Sequence, residues 1–309
     1  ATMKFTSTRG GESVALEDAI MAGTAPDGGL FVPNELPSFQ PGELPADAPI
    51  NEFAARQLQP FFDGSSLQDQ LEDICDEAFN FPAPLRGIQN APHALSVLEL
   101  FHGPTAAFKD FGARFLAATM SRIIRQRGSD ADQPATIVVA TSGDTGGAVA
   151  AAFHRQPGTR VVVLFPEGRV SARQQHQLTC WGDNIISLSV KGEFDDCQRV
   201  AKELFADKEN SRRFNLCSAN SINVGRLLPQ SVYYGKTSTD RYAETGERSH
   251  FIVPTGNLGN AFACAWAKSM GLPIDELVLA TNANATIPEF LDSGEWNPRN
   301  SVATLASAM

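Results

Sequence analysis

The chain has 309 residues, of which 42% are hydrophobic and 19% are charged, and its formal net charge at pH 7 is −10. These values exclude an intrinsically disordered chain and predict a globular protein of about two domains. An acidic balance without a basic run disfavours a nucleic-acid partner. No apolar stretch approaches the length of a membrane span and no hydrophobic signal region opens the sequence, so we expect a cytoplasmic protein without a membrane partner.

The cysteines and histidines predict neither a disulfide framework nor a metal centre. The five cysteines are widely spaced without a CxxC pair, and the five histidines follow no metal-ligand spacing. Free thiols of this kind are typical of proteins from a reducing compartment.

Residues 1 to about 95 are predicted to form an N-terminal region of short helices and loops. LEDAIMAG is a short helix ended by Gly23, and GLFVP is a short strand. NEFAARQLQPFF and SLQDQLEDICDEAF have apolar residues at helical spacing, with Ser66 as the N-cap of the second helix. PAPLRGIQNAPH (82–93) is predicted to be a loop and LSVLELF (95–101) a strand.

Beyond this region, strands and helices alternate, which indicates a parallel sheet covered by helices and hence an α/β fold. The strands are TIVVAT, RVVVLFP, NIISLSV, HFIVPT and ELVLATN, and helices are predicted between them and over 111–127. SINVGRLLPQSVYY (221–234) starts as a helix capped by Asn220 or Ser221, but GKTSTD (235–240) is poor helix material.

Lys109 stands in an apolar context, next to Phe108 and close to Phe101, Phe111 and Phe115. Partial desolvation lowers the pKa of a lysine and makes its neutral, nucleophilic amine accessible, as a Schiff-base lysine requires. The alternative is a surface lysine at a helix start, with its stem on apolar neighbours.

The stretch ELFHGPTAAFKDFGARF (99–115) resembles the lysine motif of threonine synthases, which are fold type II (tryptophan synthase β-like) pyridoxal phosphate enzymes. ATSGDTGGAVA (140–150), SANSINVGRLL (218–228), VPTGNLGNAFA (253–263) and DGGLFVPNELP (27–37) also resemble the family, in order and spacing. The agreement extends over nearly the whole chain. The length of the N-terminal region resembles the class without an S-adenosylmethionine-binding extension, so no such activation is expected.

The resemblance implies that Lys109 is the catalytic residue and that it holds pyridoxal 5'-phosphate through a Schiff base. It also implies that the glycine-rich turn after HFIVPT binds the cofactor phosphate and that the turn after TIVVAT receives the substrate's α-carboxylate. Such strand-to-helix turns suit anions, because backbone N–H groups and a helix N-terminus face the ligand. The implied cofactor-binding residues are Lys109, Gly256, Asn257, Leu258, Gly259, Asn260 and Asp144, the last beside the cofactor's phenolic oxygen. The implied substrate-binding residues are Thr141, Ser142, Gly143, Thr145, Asn223 and Arg226, of which Arg226 could reach a phosphate bidentately.

Two domains with the site between them follow from the same resemblance. Residues 1–95 form the N-terminal region, 96–135 and 215–309 the larger cofactor-binding domain, and 136–214 a smaller α/β domain. Threonine synthases continue well beyond the position of Met309, so we expect the C-terminal part of the larger domain to be missing. No residue is assignable as the partner of the cofactor's pyridine nitrogen.

The implied activity is conversion of O-phospho-L-homoserine and water to L-threonine and phosphate, by γ-elimination and addition of water at the β-carbon. That activity makes the protein a carbon-oxygen lyase of amino-acid biosynthesis acting on a phosphate ester. The alternatives are another fold type II lyase, of the dehydratase or sulfhydrylase type, and a non-catalytic homologue on the same fold. The oligomeric state is left open.

Overall fold

The computed structural model describes residues 2–91, 94–128, 133–300, 302 and 304–306. The predicted domain end at Met309 lies outside the described residues. Within the described part of the chain, no helix is both long and apolar enough to cross a membrane.

The N-terminal region contains a small antiparallel pair and three α-helices. Its elements are β1 (Phe5–Ser7), α1 (Leu16–Ala22), β2 (Phe31–Pro33), α2 (Ile50–Phe62), a 3-10 turn (Gln68–Gln70) and α3 (Leu71–Ala78). Gly23 ends α1 with φ 73°, as predicted. The N-cap predicted at Ser66 is wrong, because the 3-10 turn precedes the helix. The Ser66 N–H donates to Glu17, and its hydroxyl donates to Gln126.

A short hairpin occupies part of the segment predicted to be a loop. Strands β3 (Leu85–Gly87) and β4 (Ser96–Leu98) pair antiparallel, so the loop prediction for 82–93 is wrong at β3 and the strand predicted over 95–101 is too long. The ladder ends near Pro84, which accepts a hydrogen bond from the Glu99 N–H but has no N–H of its own to continue the pairing.

A four-stranded parallel sheet contains the first three predicted strands together with Leu216–Ser218, which was not predicted to be a strand. Its strands lie in the order β7-β6-β5-β8. The elements are α4 (Lys109–Gln126), β5 (Ala135–Ala140), α5 (Asp144–Phe153), β6 (Thr159–Pro166), α6 (Ala172–Thr179), β7 (Ile185–Val190), α7 (Phe194–Ala206), α8 (Lys208–Arg213) and β8 (Leu216–Ser218). Since β5 continues directly into α5, the SGDTG turn lies at the carboxyl edge of this sheet, where α/β folds place their ligands.

Helix α6 is held to the sheet by few buried groups. Of its residues only Leu178 is buried. Trp181, just after the helix, donates its ring N–H to the Gln177 carbonyl at 2.7 Å, and its ring lies 5.1 Å from that of His154. The helix is therefore anchored mainly at its C-terminal end.

A second parallel pair follows in the C-terminal part. Its elements are α9 (Val224–Thr245), β9 (Ser249–Pro254), α10 (Gly259–Ser269), β10 (Ile274–Ala280) and α11 (Thr286–Ser293), with β9 and β10 paired in parallel. The expectation that 235–240 is poor helix material is wrong, because α9 continues through it. Gly235 lies where a Cβ would overlap Gln57, and Thr237 and Ser238 are buried, so packing overrides the weak local propensity.

The core packs against the first turns of α4. Phe111 lies 4.7 Å from Phe81 and 5.1 Å from Tyr233, and Phe115 lies 5.9 Å from Phe79, measured between ring centroids. These contacts fix the start of α4, which is where Lys109 lies.

Candidate active site

Lys109 is the first residue of α4, and its side chain is only 14% exposed. Its Nζ lies 4.4 Å from the centroid of the Phe108 ring and 3.9 Å from Asp144 Oδ2. Burial lowers the pKa of Lys109; the negative charge of Asp144 opposes this effect, and the positive charge of Arg226 adds to it. The amine is thus partly desolvated. Of the aromatic residues close to Lys109 in the sequence, Phe101 is half exposed and Phe111 packs in the core.

The segment before Lys109 is fixed by the carboxylate of Asp110. This buried carboxylate accepts hydrogen bonds from the Thr105 N–H at 2.9 Å and from the Thr105 hydroxyl at 2.6 Å. Burial raises the pKa of Asp110 even though both hydrogen bonds lower it. A Cβ at Gly103 would lie 2.5 Å from Asp110 Oδ2, so only glycine fits there. The backbone leading into α4 is consequently held in one conformation.

Thr141 shapes the loop between β5 and α5. Its hydroxyl accepts from the N–H groups of Gly143 at 3.0 Å and Gly146 at 2.9 Å, and it lies 3.1 Å from the Gly143 carbonyl, to which it donates. The residue is 1% exposed. All of these hydrogen bonds of the Thr141 hydroxyl are made within the loop. The contacts therefore do not support the prediction that Thr141 binds substrate directly.

Three amides of the same loop face no protein acceptor. Among the described residues, the N–H groups of Ser142, Asp144 and Thr145 donate no hydrogen bond. They lie at the N-terminus of α5, where the helix dipole favours negative charge. This loop can therefore accept an anion, and the substrate carboxylate expected there stays a prediction.

We expect the loop to reject a side chain at Gly146 but to accept one at Gly147. An added Cβ at Gly146 would lie 2.5 Å from Thr141 Cγ2 and 2.8 Å from Leu178 Cδ2, whereas at Gly147 the nearest atom is 3.6 Å away. Gly146→Ala should lower the free energy of unfolding by about 1–3 kcal/mol. Gly147→Ala, the matched control, should raise it by up to about 1 kcal/mol through helix propensity. Urea unfolding measures both, and equal effects would contradict this packing.

Asn223 is the N-cap of α9, so the prediction of Asn220 or Ser221 as cap is wrong. The helix begins at Val224, and a cap must accept from the second or third helical amide. Asn223 Oδ1 accepts from the Gly225 N–H at 2.8 Å, and Nδ2 donates to the carbonyls of Ile20 at 2.8 Å and Ser218 at 3.1 Å. These contacts use the whole amide of a fully buried side chain, which leaves no group for the predicted substrate contact.

Arg226, in the first turn of α9, is a buried cation without a carboxylate partner among the described residues. It is 1% exposed, one Nη donates to the Ala219 carbonyl at 3.1 Å, and Nε has no partner. Burial lowers the pKa of Arg226 to about 10. A buried guanidinium in this state is costly unless an anion binds to it. The prediction that Arg226 binds a substrate anion therefore has structural support.

The loop between β9 and α10 is exposed and presents unpaired amides. In the described part of the chain, the N–H groups of Gly256, Asn257, Leu258 and Gly259 donate to no protein acceptor. The Thr255 hydroxyl braces the loop by donating to the Asn257 carbonyl at 3.0 Å. These four consecutive N–H groups before an 11-residue helix form a suitable cradle for a phosphate.

Asn260 ties this cradle to α9 rather than facing an open site. Its Oδ1 accepts from the hydroxyls of Tyr233 at 2.5 Å and Tyr234 at 2.8 Å, and the residue is 8% exposed. The side-chain oxygen of Asn260, a residue predicted to bind the cofactor, is thus occupied by the two tyrosines. A Cβ at Gly259 would lie 3.5 Å from the Ser221 carbonyl, so the cradle adjoins the segment that leads to Arg226.

Gln174 of α6 was not among the predicted site residues, although its Nε2 donates to Asp144 Oδ1 at 2.9 Å. Its S-x-x-Q spacing with Ser171 is a capping-box signal, and the capping box is present. No local pattern indicates the contact with Asp144, because the two residues are 30 positions apart.

Two family models match the chain. Residues 4–79 match "Threonine synthase N terminus", and residues 80–309 match "Pyridoxal-phosphate dependent enzyme". Together they extend over almost the whole sequence.

Individual relatives of the chain are named threonine synthases. The chain is 40% identical over 300 residues to threonine synthase of Escherichia coli, covering 96% of this chain and 68% of that protein. It is 41% identical to the Serratia marcescens enzyme of the same name, again covering 96% of this chain and 68% of that protein. The crystal structure of pyridoxal phosphate-bound threonine synthase from Brucella melitensis superposes with a TM-score of 0.88 at 41% identity, covering 98% of this chain and 66% of that one. The chain thus spans about two thirds of the length of these relatives.

Proposed function

The chain belongs to the threonine synthase family of pyridoxal phosphate-dependent lyases, and on that basis we propose that it converts O-phospho-L-homoserine and water to L-threonine and phosphate. The predicted fold type II is confirmed by the family match and by the superposition on solved threonine synthases. The substrate, the site residues and the domain division belong to the proposal.

The residues present fit the cofactor. A phosphate dianion needs several N–H donors, and the unpaired amides of Gly256–Gly259 supply them. An aldehyde needs a lysine amine of lowered pKa, and Lys109 meets this condition. Asp144 Oδ2 lies 3.9 Å from that amine, and by the family resemblance Asp144 would stand beside the phenolic oxygen of the cofactor. Asn260 contributes by holding the cradle on the tyrosines of α9.

When bound, pyridoxal phosphate supplies a carbonyl that reacts with amines and a conjugated ring that accepts electrons from the substrate carbon. The Lys109 amine would anchor the cofactor and would take the α-proton of the substrate. The unpaired amides of Ser142 and Thr145, in the loop shaped by Gly143 and Thr141, bind the α-carboxylate. Arg226 neutralises the substrate phosphate, and Asn223 supports Arg226 by capping its helix.

The observation that carries this proposal is a desolvated Lys109 facing Asp144, with two amide-rich turns on the same chain. The test is to add pyridoxal phosphate to the purified protein, reduce with borohydride and map the labelled peptide. Phosphate release and threonine formation from O-phospho-L-homoserine are then measured. A label on Lys109 with release of both products supports the proposal. A 2-oxo acid formed from serine or threonine, without phosphate release, would favour the dehydratase alternative, and a label without any turnover would favour a non-catalytic homologue.

Asn257→Ala is expected to weaken cofactor binding about tenfold, or ~1.4 kcal/mol. The Asn257 side chain is exposed on the amide cradle and has no protein partner among the described residues, so its loss should not destabilise the cofactor-free fold. Titration of the chain with pyridoxal phosphate, followed by absorbance, measures the affinity. Urea unfolding without cofactor is the control, and an unchanged dissociation constant would show that the Asn257 side chain does not contact the cofactor.

The domain division is also part of the proposal. The four-stranded parallel sheet, with its helices α5 to α8, runs from Ala135 to Ser218, close to the predicted smaller domain at 136–214. Limited proteolysis tests this division, because a separate domain should be released intact by cuts near its two boundaries.

A further inference from the structure

Gln174, in the first turn of α6, has its side-chain amide fixed at both ends. Its Oε1 accepts from the Ser171 N–H at 3.2 Å, and its Nε2 donates to Asp144 Oδ1 at 2.9 Å. An N–H donor at one end of the amide requires the oxygen there, so the nitrogen must point towards Asp144. The orientation of the amide is therefore determined by the capping box of α6.

The loop that carries Asp144 is built around this amide. Gly143 has φ 149°, a conformation that L side chains rarely adopt, and a Cβ there would overlap the Gln174 side chain. The missing side chain leaves the space that the glutamine amide fills. Gly143 and Gln174 thus depend on each other sterically.

The hydrogen bond to Gln174 leaves Asp144 close to Lys109 but not in contact with it. One carboxylate oxygen binds the glutamine, and the other stands 3.9 Å from Lys109 Nζ, beyond hydrogen-bond distance. The other charged group acting on Lys109 in the described part of the chain is Arg226. Asp110, the neighbour of Lys109, directs its carboxylate to Thr105 instead.

We propose that Gln174 is a positioning residue, which holds the Asp144 carboxylate back from a contact ion pair with Lys109 Nζ. A carboxylate in direct contact stabilises an ammonium more strongly than one at 3.9 Å, so releasing Asp144 would favour protonated Lys109. The inference rests on the proposed function only in assigning Lys109 as the lysine that binds the cofactor. The restraint itself is a property of the cofactor-free chain.

The test measures the pKa of Lys109 directly. The cofactor-free chain is labelled with trace acetic anhydride over a range of pH, and the acetylated Lys109 peptide is quantified by mass spectrometry. Gln174→Glu keeps an acceptor for the Ser171 N–H but replaces the amide donor with a second carboxylate. We expect its labelling midpoint to rise by about one pH unit relative to wild type. Gln174→Met, which removes the donor without adding charge, should give a smaller rise.

Two controls separate positioning from helix stability. Ser171→Ala removes the hydroxyl cap of α6 but leaves the Gln174 amide, and Gln175→Met alters a neighbouring exposed side chain of the same helix; neither should move the midpoint. A wild-type midpoint in Gln174→Met would overturn the proposal even if Gln174→Glu shifts, because the added carboxylate by itself raises the pKa of Lys109. An equal shift in Ser171→Ala would overturn it too. Because no cofactor is present, this result is independent of whether pyridoxal phosphate reacts with Lys109 in the wild type, which is the separate test of the proposed function.

Discussion

Lys109→Ala is expected to abolish borohydride-stable attachment of pyridoxal phosphate and to reduce threonine formation at least about a thousandfold. Both the covalent anchor and the proton-transferring amine are lost with this one side chain. The Lys109 amine suits both roles because burial lowers its pKa, so that a larger share of it is neutral and nucleophilic than in a solvated lysine. The measurements are the visible absorption of the cofactor-treated chain, the mass of the labelled peptide and the rate of phosphate release.

Lys236 supplies a matched control for this prediction. Its side chain is 16% exposed, close to the 14% of Lys109, but it forms an ion pair with Asp240 on the same helix. Burial alone would make both lysines reactive, whereas the proposed site requires only Lys109. Attachment that survives in Lys109→Ala, or that disappears in Lys236→Ala, would contradict the assignment of the cofactor lysine.

Arg226→Met is expected to raise the KM for O-phospho-L-homoserine about 30-fold or more, corresponding to ~2 kcal/mol or more of lost anion binding. The same change should leave the free energy of unfolding unchanged or slightly higher. Arg226 is 1% exposed and its Nε is unpaired, and within the described part of the chain its guanidinium forms one hydrogen bond, to the Ala219 carbonyl. Replacing an uncompensated buried charge with an apolar side chain of similar length removes a desolvation penalty.

Arg122 should show the opposite behaviour. Its side chain is 12% exposed and pairs with Glu77 at 2.8 Å, so Arg122→Met breaks a satisfied ion pair. This variant should lose stability while its KM stays at the wild-type value. Steady-state kinetics and urea unfolding of both variants, with inorganic phosphate as a competing anion, make the comparison. A large loss of stability in Arg226→Met with an unchanged KM would assign Arg226 a structural role.

Local sequence signals predicted those elements whose stabilising contacts are themselves local. Gly23 ends α1 where the sequence placed it, because a left-handed C-terminal residue is a property of a few consecutive residues. Distant contacts decided the other cases. Residues 235–240 are helical because Gly235 fits against Gln57, and the cap of α9 is Asn223 because its amide also reaches Ile20.

In the candidate site, too, local motifs allowed some residues to be predicted, whereas distant contacts determine the roles of others. Lys109, Arg226 and the two glycine-rich turns were predicted from motifs of adjacent residues and from the family resemblance that these motifs carry. The roles of Thr141, Asn223 and Asn260 as internal braces could not be predicted, since each depends on which backbone or hydroxyl group the fold brings to it. Gln174 was missed for the same reason, although its capping spacing with Ser171 was visible.

Helix α6 also carries a natural optical probe. Trp181 follows the helix directly, and its indole contacts both the Gln177 carbonyl and the His154 ring. With Leu178 as the only buried residue of α6, this helix should open at a lower free energy than the core around Phe111. Its amide protons should exchange with deuterium early, and the emission maximum of Trp181 should move to longer wavelength at denaturant concentrations below those that unfold the whole chain.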